Sequence, residues 1–243
     1  NCGEDGKSEV ISLPFETIEF AQLLSYSYDD DFEANNKWKL INGANAWVIG
    51  NATSNGGDQA LYISNDVAAY AYDESTPSVS FATKLFDFDL TTVYTVSYEW
   101  MCEGEWNDED GALDFLRVAL VPADVELTAG VQPEGLTGEL LPAGWIALDG
   151  DSALTRHATW QAVAAEVTVP VGQYRLAFIW INDESGADGD PAAIRNLSIA
   201  KGTITGIQAG AGFGSKAVKF IKNNQVYILV NGNIYDAIGR KIK

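Results

Sequence analysis

The chain has 243 residues, enough for one substantial core, and its 47% hydrophobic and 20% charged residues describe a globular protein, not a disordered one. Its formal net charge of −19 excludes a nucleic-acid binder, which needs clustered Lys and Arg. No apolar run approaches the roughly 20 residues that cross a bilayer, so no membrane span is expected. The charge is uneven. From Phe213 onward there are 6 of the 15 basic residues and 1 of the 34 acids, Asp236, which leaves 9 basic and 33 acidic residues before it, net −24. That step marks a boundary.

Residues 1–12 read as a leader or linker. The chain opens at Asn1-Cys2-Gly3 with neither an initiator Met nor a signal peptide, as expected of a product whose targeting segment has been removed. Cys2 and Cys102 are the two cysteines, and their pairing is left open; a lipid anchor on Cys2 is a second use for it. Leu13-Pro14-Phe15-Glu16 begins the folded part. Residues 19–31, with three aspartates at Asp29 to Asp31, read as an irregular surface loop.

Residues 37–41 and 46–50 are short strands around Asn42-Gly43, a strong turn signal. Residues 59–64 and 78–86 follow as strands. Residues 94–100 alternate cleanly, with Tyr94, Val96, Tyr98 and Trp100 on one face. Residues 113–121 (LDFLRVALV) could pass for a helix, but their β-branched and aromatic content and Pro122 favour a strand. Residues 123–142 form a long excursion of the kind that is functional or mobile. Further strands are read at 145–148, 159–165 and 166–169. Residues 174–181 and 192–199 are two apolar runs flanking an acidic loop, and the first carries a single charge, Arg175, so it reads as buried. Short strands at intervals of about 8–12 residues with long crossovers point to an all-β fold, a jelly-roll β-sandwich over 13–202. Residues 203–214 read as a linker and 215–243 as a small C-terminal β-meander.

The order of motifs is informative. Leu13-Pro14-Phe15-Glu16, Trp47-Val48-Ile49-Gly50, Leu61-Tyr62-Ile63-Ser64-Asn65-Asp66, Tyr98-Glu99-Trp100, Arg117-Val118-Ala119-Leu120, Phe178-Ile179-Trp180-Ile181-Asn182-Asp183 and Pro191-Ala192-Ala193-Ile194-Arg195-Asn196 follow one another. The series resembles the choice-of-anchor J domains and their relatives, the MAM domains and the cleaved-adhesin domains of Bacteroidetes surface proteins. The resemblance implies a jelly roll used in adhesion or glycan recognition, usually without catalysis. The closing run Gly232-Asn233-Ile234-Tyr235-Asp236-Ala237-Ile238-Gly239-Arg240-Lys241-Ile242 resembles the end of a type IX secretion C-terminal sorting domain, which implies export and a secreted or outer-membrane surface-attached fate.

Catalysis finds little support. His157 is the single histidine and sits in a polar run, where it reads as an exposed loop residue. No nucleophile-elbow motif surrounds a serine. Glu103 and Glu105 beside Trp106 are the best candidate carboxylate pair for glycoside hydrolysis. Calcium is better motivated, because hard cations take several carboxylate, amide and carbonyl oxygens. Candidate ligands are Glu16, Asp183, Asp188 and Asp190, with Asp29–Asp31 and Asp108–Asp114 as further acidic clusters. In the resembling families a structural calcium often joins the acid after Pro-Phe, here Glu16, to an aspartate at the position of Arg195. A cation there weakens that site and suggests an Arg195 ion pair with Glu16 or another acid. For a glycan, Trp106 with Glu105, Asn107 and Asp108 around it is the leading contact, joined by Trp38, while Trp47, Trp100, Trp160 and Trp180 read as core.

The expectation is therefore a secreted or surface non-catalytic adhesion or carbohydrate-binding module, monomeric, whose partner is a glycan or a host or cell-surface protein. The alternatives are a structural accessory domain without a small ligand and, third, a glycoside hydrolase.

Overall fold

The computed structural model describes residues 19–24, 27–33, 37–54, 57–202, 218–222, 225–230, 233–236 and 240–242. The chain divides into two compact units, Asn1–Gly202 and Thr203–Lys243. The described part of the first is built from strands β1 (Gln22–Leu24), β2 (Ser27–Asp30), β3 (Lys39–Ile41), β4 (Trp47–Gly50), β5 (Ala60–Ile63), β6 (Ser78–Phe88), β7 (Thr92–Cys102), β8 (Glu105–Asn107), β9 (Gly111–Pro122), β10 (Ile146–Ala147), β11 (His157–Val169), β12 (Gly172–Asn182) and β13 (Ala193–Lys201).

One sheet runs β1-β6-β12-β9-β10, with β3 on β6 and β8 on β9; the other runs β11-β7-β13-β5-β4, with β2 on β13. From β5 onward the long strands alternate between sheets: β6 first, β7 second, β9 first, β11 second, β12 first, β13 second. That alternation is a jelly roll, as expected. The period of two then sorts side chains. Tyr94, Val96, Tyr98 and Trp100 of β7 meet Leu116, Val118 and Leu120 of β9 and Leu176, Phe178 and Trp180 of β12 in the core between the sheets.

The opposite face of the first sheet is apolar too. Val79, Phe81, Phe115, Ala119, Val121, Ala177, Ile179 and Ile181 lie under Val125, Leu127, Leu136, Leu141 and Trp145. Residues 123–142 are thus a cover, and β12 is apolar along its length because both of its faces are buried. Arg117, wholly buried, pins this cover: it pairs with Asp149 at 2.6 Å and donates from Nη1 to the carbonyls of Thr137 (2.6 Å) and Leu140 (3.1 Å).

Several expectations need correcting. Asn42-Gly43 turns no hairpin, since β3 and β4 lie in different sheets. Gly43 is needed for close approach: a Cβ there would meet the Val79 carbonyl at 2.7 Å. Residues 19–31 hold two short strands, and Asp30 is buried, accepting from Phe32 N (2.9 Å), Trp38 Nε1 (3.0 Å) and the Tyr28 hydroxyl (2.5 Å). Residues 157–169 form one continuous strand, so His157 opens β11 with its ring 5.2 Å from Trp100. Trp160 is half-buried on the outer face of the second sheet, where Arg195 stacks on it at 4.2 Å and pairs with Glu99 at 2.6 Å. The leader, Glu16, Cys2 and the 203–214 linker lie outside the described residues.

In the second unit, β14 (Val218–Lys222), β15 (Gln225–Val230), β16 (Asn233–Asp236) and β17 (Lys241–Ile242) pair antiparallel in chain order. They form a β-meander.

Candidate functional site

The site begins with a glycine. Gly104, between β7 and β8, has φ +60, and a Cβ on it would lie 2.1 Å from the Asp114 carbonyl. Only glycine allows the chain to turn this closely against β9. The turn presents the backbone of Glu103 and Gly104 to the 183–190 loop: their N–H groups donate to the Asp190 carbonyl at 2.9 and 3.1 Å, while Asp188 N donates to the Gly104 carbonyl at 2.8 Å. Asp188 Oδ2 also accepts Trp106 N at 3.0 Å. The acidic 183–190 loop is therefore stitched along β8.

β8 and the start of β9 form a hairpin with a register shift between Glu105 and Trp106. Asn107 closes it: its Oδ1 accepts Glu109 N at 3.0 Å and Asp110 N at 2.5 Å. Asn107 is thus committed to the turn, and Asp108 is exposed at its tip. The hairpin aims Glu105 at Asp114 and Asp183, and one carboxylate oxygen from each of the three lies within 4.8 Å of the other two. Asp114 has no exposed surface. Its Oδ1 accepts Asp183 N at 2.9 Å and its other oxygen accepts the Tyr72 hydroxyl. Burial, with Asp183 and Glu105 adding like charge, outweighs those hydrogen bonds and pushes its pKa up to about 6. Glu105 is raised by burial and then by Asp183, Asp188 and Glu74, and its Oε2 is buried with no hydrogen-bond partner among the described residues. This cluster of acidic residues could hold a metal ion, which would supply the countercharge the three carboxylates lack.

Beside the cluster lies a cleft of about 780 Å³. Val79, Phe115 and Ile181, from the outer face of the first sheet, form its apolar floor; Trp106, Asp110, Gln132, Glu139 and Asp183 stand around it. Half-buried Trp106 carries the Arg156 guanidinium 4.3 Å from its ring centroid. Arg156 is placed by a left-handed backbone (φ 61) and by its N–H donating to the Glu103 carbonyl at 2.9 Å.

Of the residues picked from sequence, Trp106 and Asp183 line the cleft, and Glu105 joins Asp183 in the acidic cluster. Asp188 supports Trp106 through its backbone. Asp190 lies beyond Glu103, where Asp190 N donates to Glu103 Oε2 at 3.3 Å. Trp38 is elsewhere, packed 5.4 Å from core Phe178. Sequence reasoning missed the pairing of Asp114 with Tyr72, Arg156 over Trp106, and the apolar floor. The signal for Asp114 was a lone acid inside the apolar strand LDFLRVALV; Arg156 left none.

No family model matches the chain, and no curated protein is a significant match to it. Among solved structures, it is similar to the CBM22-1 xylan-binding domain of Paenibacillus barcinonensis Xyn10C, at 11% identity over 76% of this chain and 97% of that one, TM-score 0.42. It is similar also to the K1 cleaved adhesin domain of Lys-gingipain from Porphyromonas gingivalis W83, at 14% identity over 73% and 99%, TM-score 0.42. A third is the CBM35 of Cellvibrio japonicus Abf62, at 14% identity over 73% and 94%, TM-score 0.36. Such likenesses are too distant to carry a function, which has to be argued from the cleft.

Proposed function

We propose that this protein is a non-catalytic carbohydrate-binding or adhesion module that takes a glycan in the cleft beside Trp106. The observation that carries this reading is the juxtaposition of an indole with carboxylate and amide groups over an apolar floor. Sugars offer both apolar ring faces and hydroxyl groups, and a volume of about 780 Å³ lies in the range of ligand sites. Asp183 and Asp110 are placed to accept from sugar hydroxyls, as is the amide oxygen of Gln132, whose Nε2 donates to the Leu136 carbonyl at 2.6 Å. A non-catalytic role suits the chemistry of the cluster: of its two carboxyls with raised pKa, Asp114 has no exposed surface to present to a glycosidic oxygen, and Glu105 turns a buried Oε2 toward Asp114 and Asp183.

The acidic cluster is the calcium site of this reading, with Glu105, Asp114 and Asp183 as ligands in place of a set centred on Glu16, Asp188 and Asp190. Arg195 is engaged by Glu99 and Trp160, so its charge is already matched. The family reading is that of a choice-of-anchor J, MAM or cleaved-adhesin relative, and the second unit is its sorting signal, giving a secreted or surface-attached protein.

A glycan array with wild type and Trp106→Ala tests the site. The expected result is binding to a defined glycan class, lost in the variant; binding that survives the change rules the site out. A second reading, an accessory domain without a small ligand, draws on one fact: Arg156 already covers a face of the Trp106 ring. It requires that no glycan bind. For the tail, deletion of residues 218–243 should abolish surface display in a secretion-competent host while leaving the sandwich folded.

A further inference from the structure

Every long strand of the sandwich has neighbours on both sides except β11, which ends its sheet and pairs with β7 alone among the described residues. The other outer strands are two to four residues long (β1, β2, β3, β4, β8 and β10), whereas β11 has 13. A long open edge presents a row of unpaired N–H and C=O groups, and proteins ordinarily block such rows with charges, prolines or bulges. In β11 the bulge and the proline stand only at the ends. A register irregularity lies between His157 and Gln161, and Pro170 follows the last residue. Between them, Gln161 to Val169 pair with β7 in unbroken register and carry one charge, Glu166. Val163, Ala165 and Val167 pack against the core yet remain half-buried, because the sheet stops beside them.

We propose that β11 is a docking edge for a second copy of this chain, pairing antiparallel with its twin about a two-fold axis at Ala165. The open backbone groups specify a strand as the occupant, and the strand's own sequence specifies which. Ala165 is the midpoint of the regular stretch 161–169, so pairing about it uses the whole stretch and excludes both the bulge and Pro170. In that register Val163 faces the partner's Val167, extending the half-buried apolar row across the junction. Glu166 faces the partner's Ala164, so the only charge on the edge never lies directly opposite its copy, as it would if the axis fell one residue later. A two-fold contact of this kind closes on itself and joins the two six-stranded sheets into one continuous sheet. The net −24 of the acidic body opposes the approach of a second copy, so salt should strengthen the dimer. This departs from the monomer expected from the sequence.

Sedimentation velocity of the full chain, across a concentration series at low and high salt, tests the proposal together with two substitutions at Ala164. That residue is exposed, so neither change disturbs the protomer. Ala164→Glu sets a like charge opposite the partner's Glu166 at both symmetric positions and should weaken the dimer roughly two- to thirtyfold. Ala164→Lys sets an opposite charge there and should tighten it by a similar factor. The expected result is a reversible dimer favoured by salt and shifted in opposite directions by the two variants. A wild-type chain that stays monomeric at every concentration and salt, or two variants that shift it the same way, overturns the proposal.

Discussion

Arg117 Nε donates to Asp149 Oδ2 at 2.6 Å, and neither side chain has any exposed surface. Arg117 lies on the outer face of the first sheet, and its other contacts are the Thr137 and Leu140 carbonyls of the covering segment. Asp149 in turn accepts Val118 N at 3.0 Å. The pair therefore ties a long connection to the middle of β9, next to the cleft. Replacing a buried pair by well-packed apolar groups is often neutral, but removing one partner strands the other charge. Arg117→Met should lower stability by about 3–5 kcal/mol in denaturant unfolding. Hydrogen exchange should show residues 137–149 losing protection first. An unchanged exchange pattern there would mean that the apolar cover alone holds the segment.

Asp114 makes stability depend on pH in an unusual direction for a carboxylate. Its folded pKa of about 6 lies above the roughly 3.9 of an unfolded aspartate, so the native state binds more protons between these values. Its contribution is fully present below about pH 4 and is lost as pH rises through about 6, a change on the order of 3 kcal/mol. Asp114→Asn keeps an oxygen for Asp183 N and removes the charge. The variant should be more stable than wild type at neutral pH without added cation, and the downward step in stability between pH 4 and 6 should shrink by Asp114's share, leaving that of Glu105. A step of equal size in the variant would assign the titration to another group.

A divalent cation should act where the proton acts. If Glu105, Asp114 and Asp183 bind calcium, added calcium should raise the melting temperature at neutral pH, by about 2.7 kcal/mol of stability at a hundredfold excess over Kd. The gain should shrink toward pH 4, where protons compete for the same oxygens. Glu105→Gln should reduce it, since the orphaned Oε2 is the oxygen most in need of a partner. Calcium stabilisation that persists unchanged in both Glu105→Gln and Asp114→Asn would place the ion elsewhere.

The sandwich was legible because its signals are local: period-two alternation in β7 and the apolar runs of β9 and β12 state which faces are buried. What sequence left out arises between distant segments. Residues 123–142 look irregular because they meet the sheet through scattered positions, Val125, Leu127, Leu136 and Leu141, without a period. Trp106 and Asp183 were chosen on composition, and the cleft joins them only because Gly104 lets the 183–190 loop dock on β8. Trp38 shows the opposite outcome. Flanked by lysines, it reads as a surface residue, yet Asp30 accepts its indole N–H and Phe32 and Phe178 flank its ring.

The two tryptophans can therefore be separated by experiment. Trp38→Ala removes a ring from the core and leaves buried Asp30 short of a donor, so it should cost about 3–5 kcal/mol of stability. Any glycan binding should persist in the fraction that remains folded. Trp106 is half-buried, and its chief described ring partner is Arg156, a cation–π contact of about 0.5–1 kcal/mol at such a position. Trp106→Ala should thus cost little stability and abolish binding. Measuring both variants by urea unfolding and on the same glycan array gives two coordinates for each. If Trp106→Ala unfolds as readily as Trp38→Ala, the indole is a structural prop and the glycan site must be sought away from it.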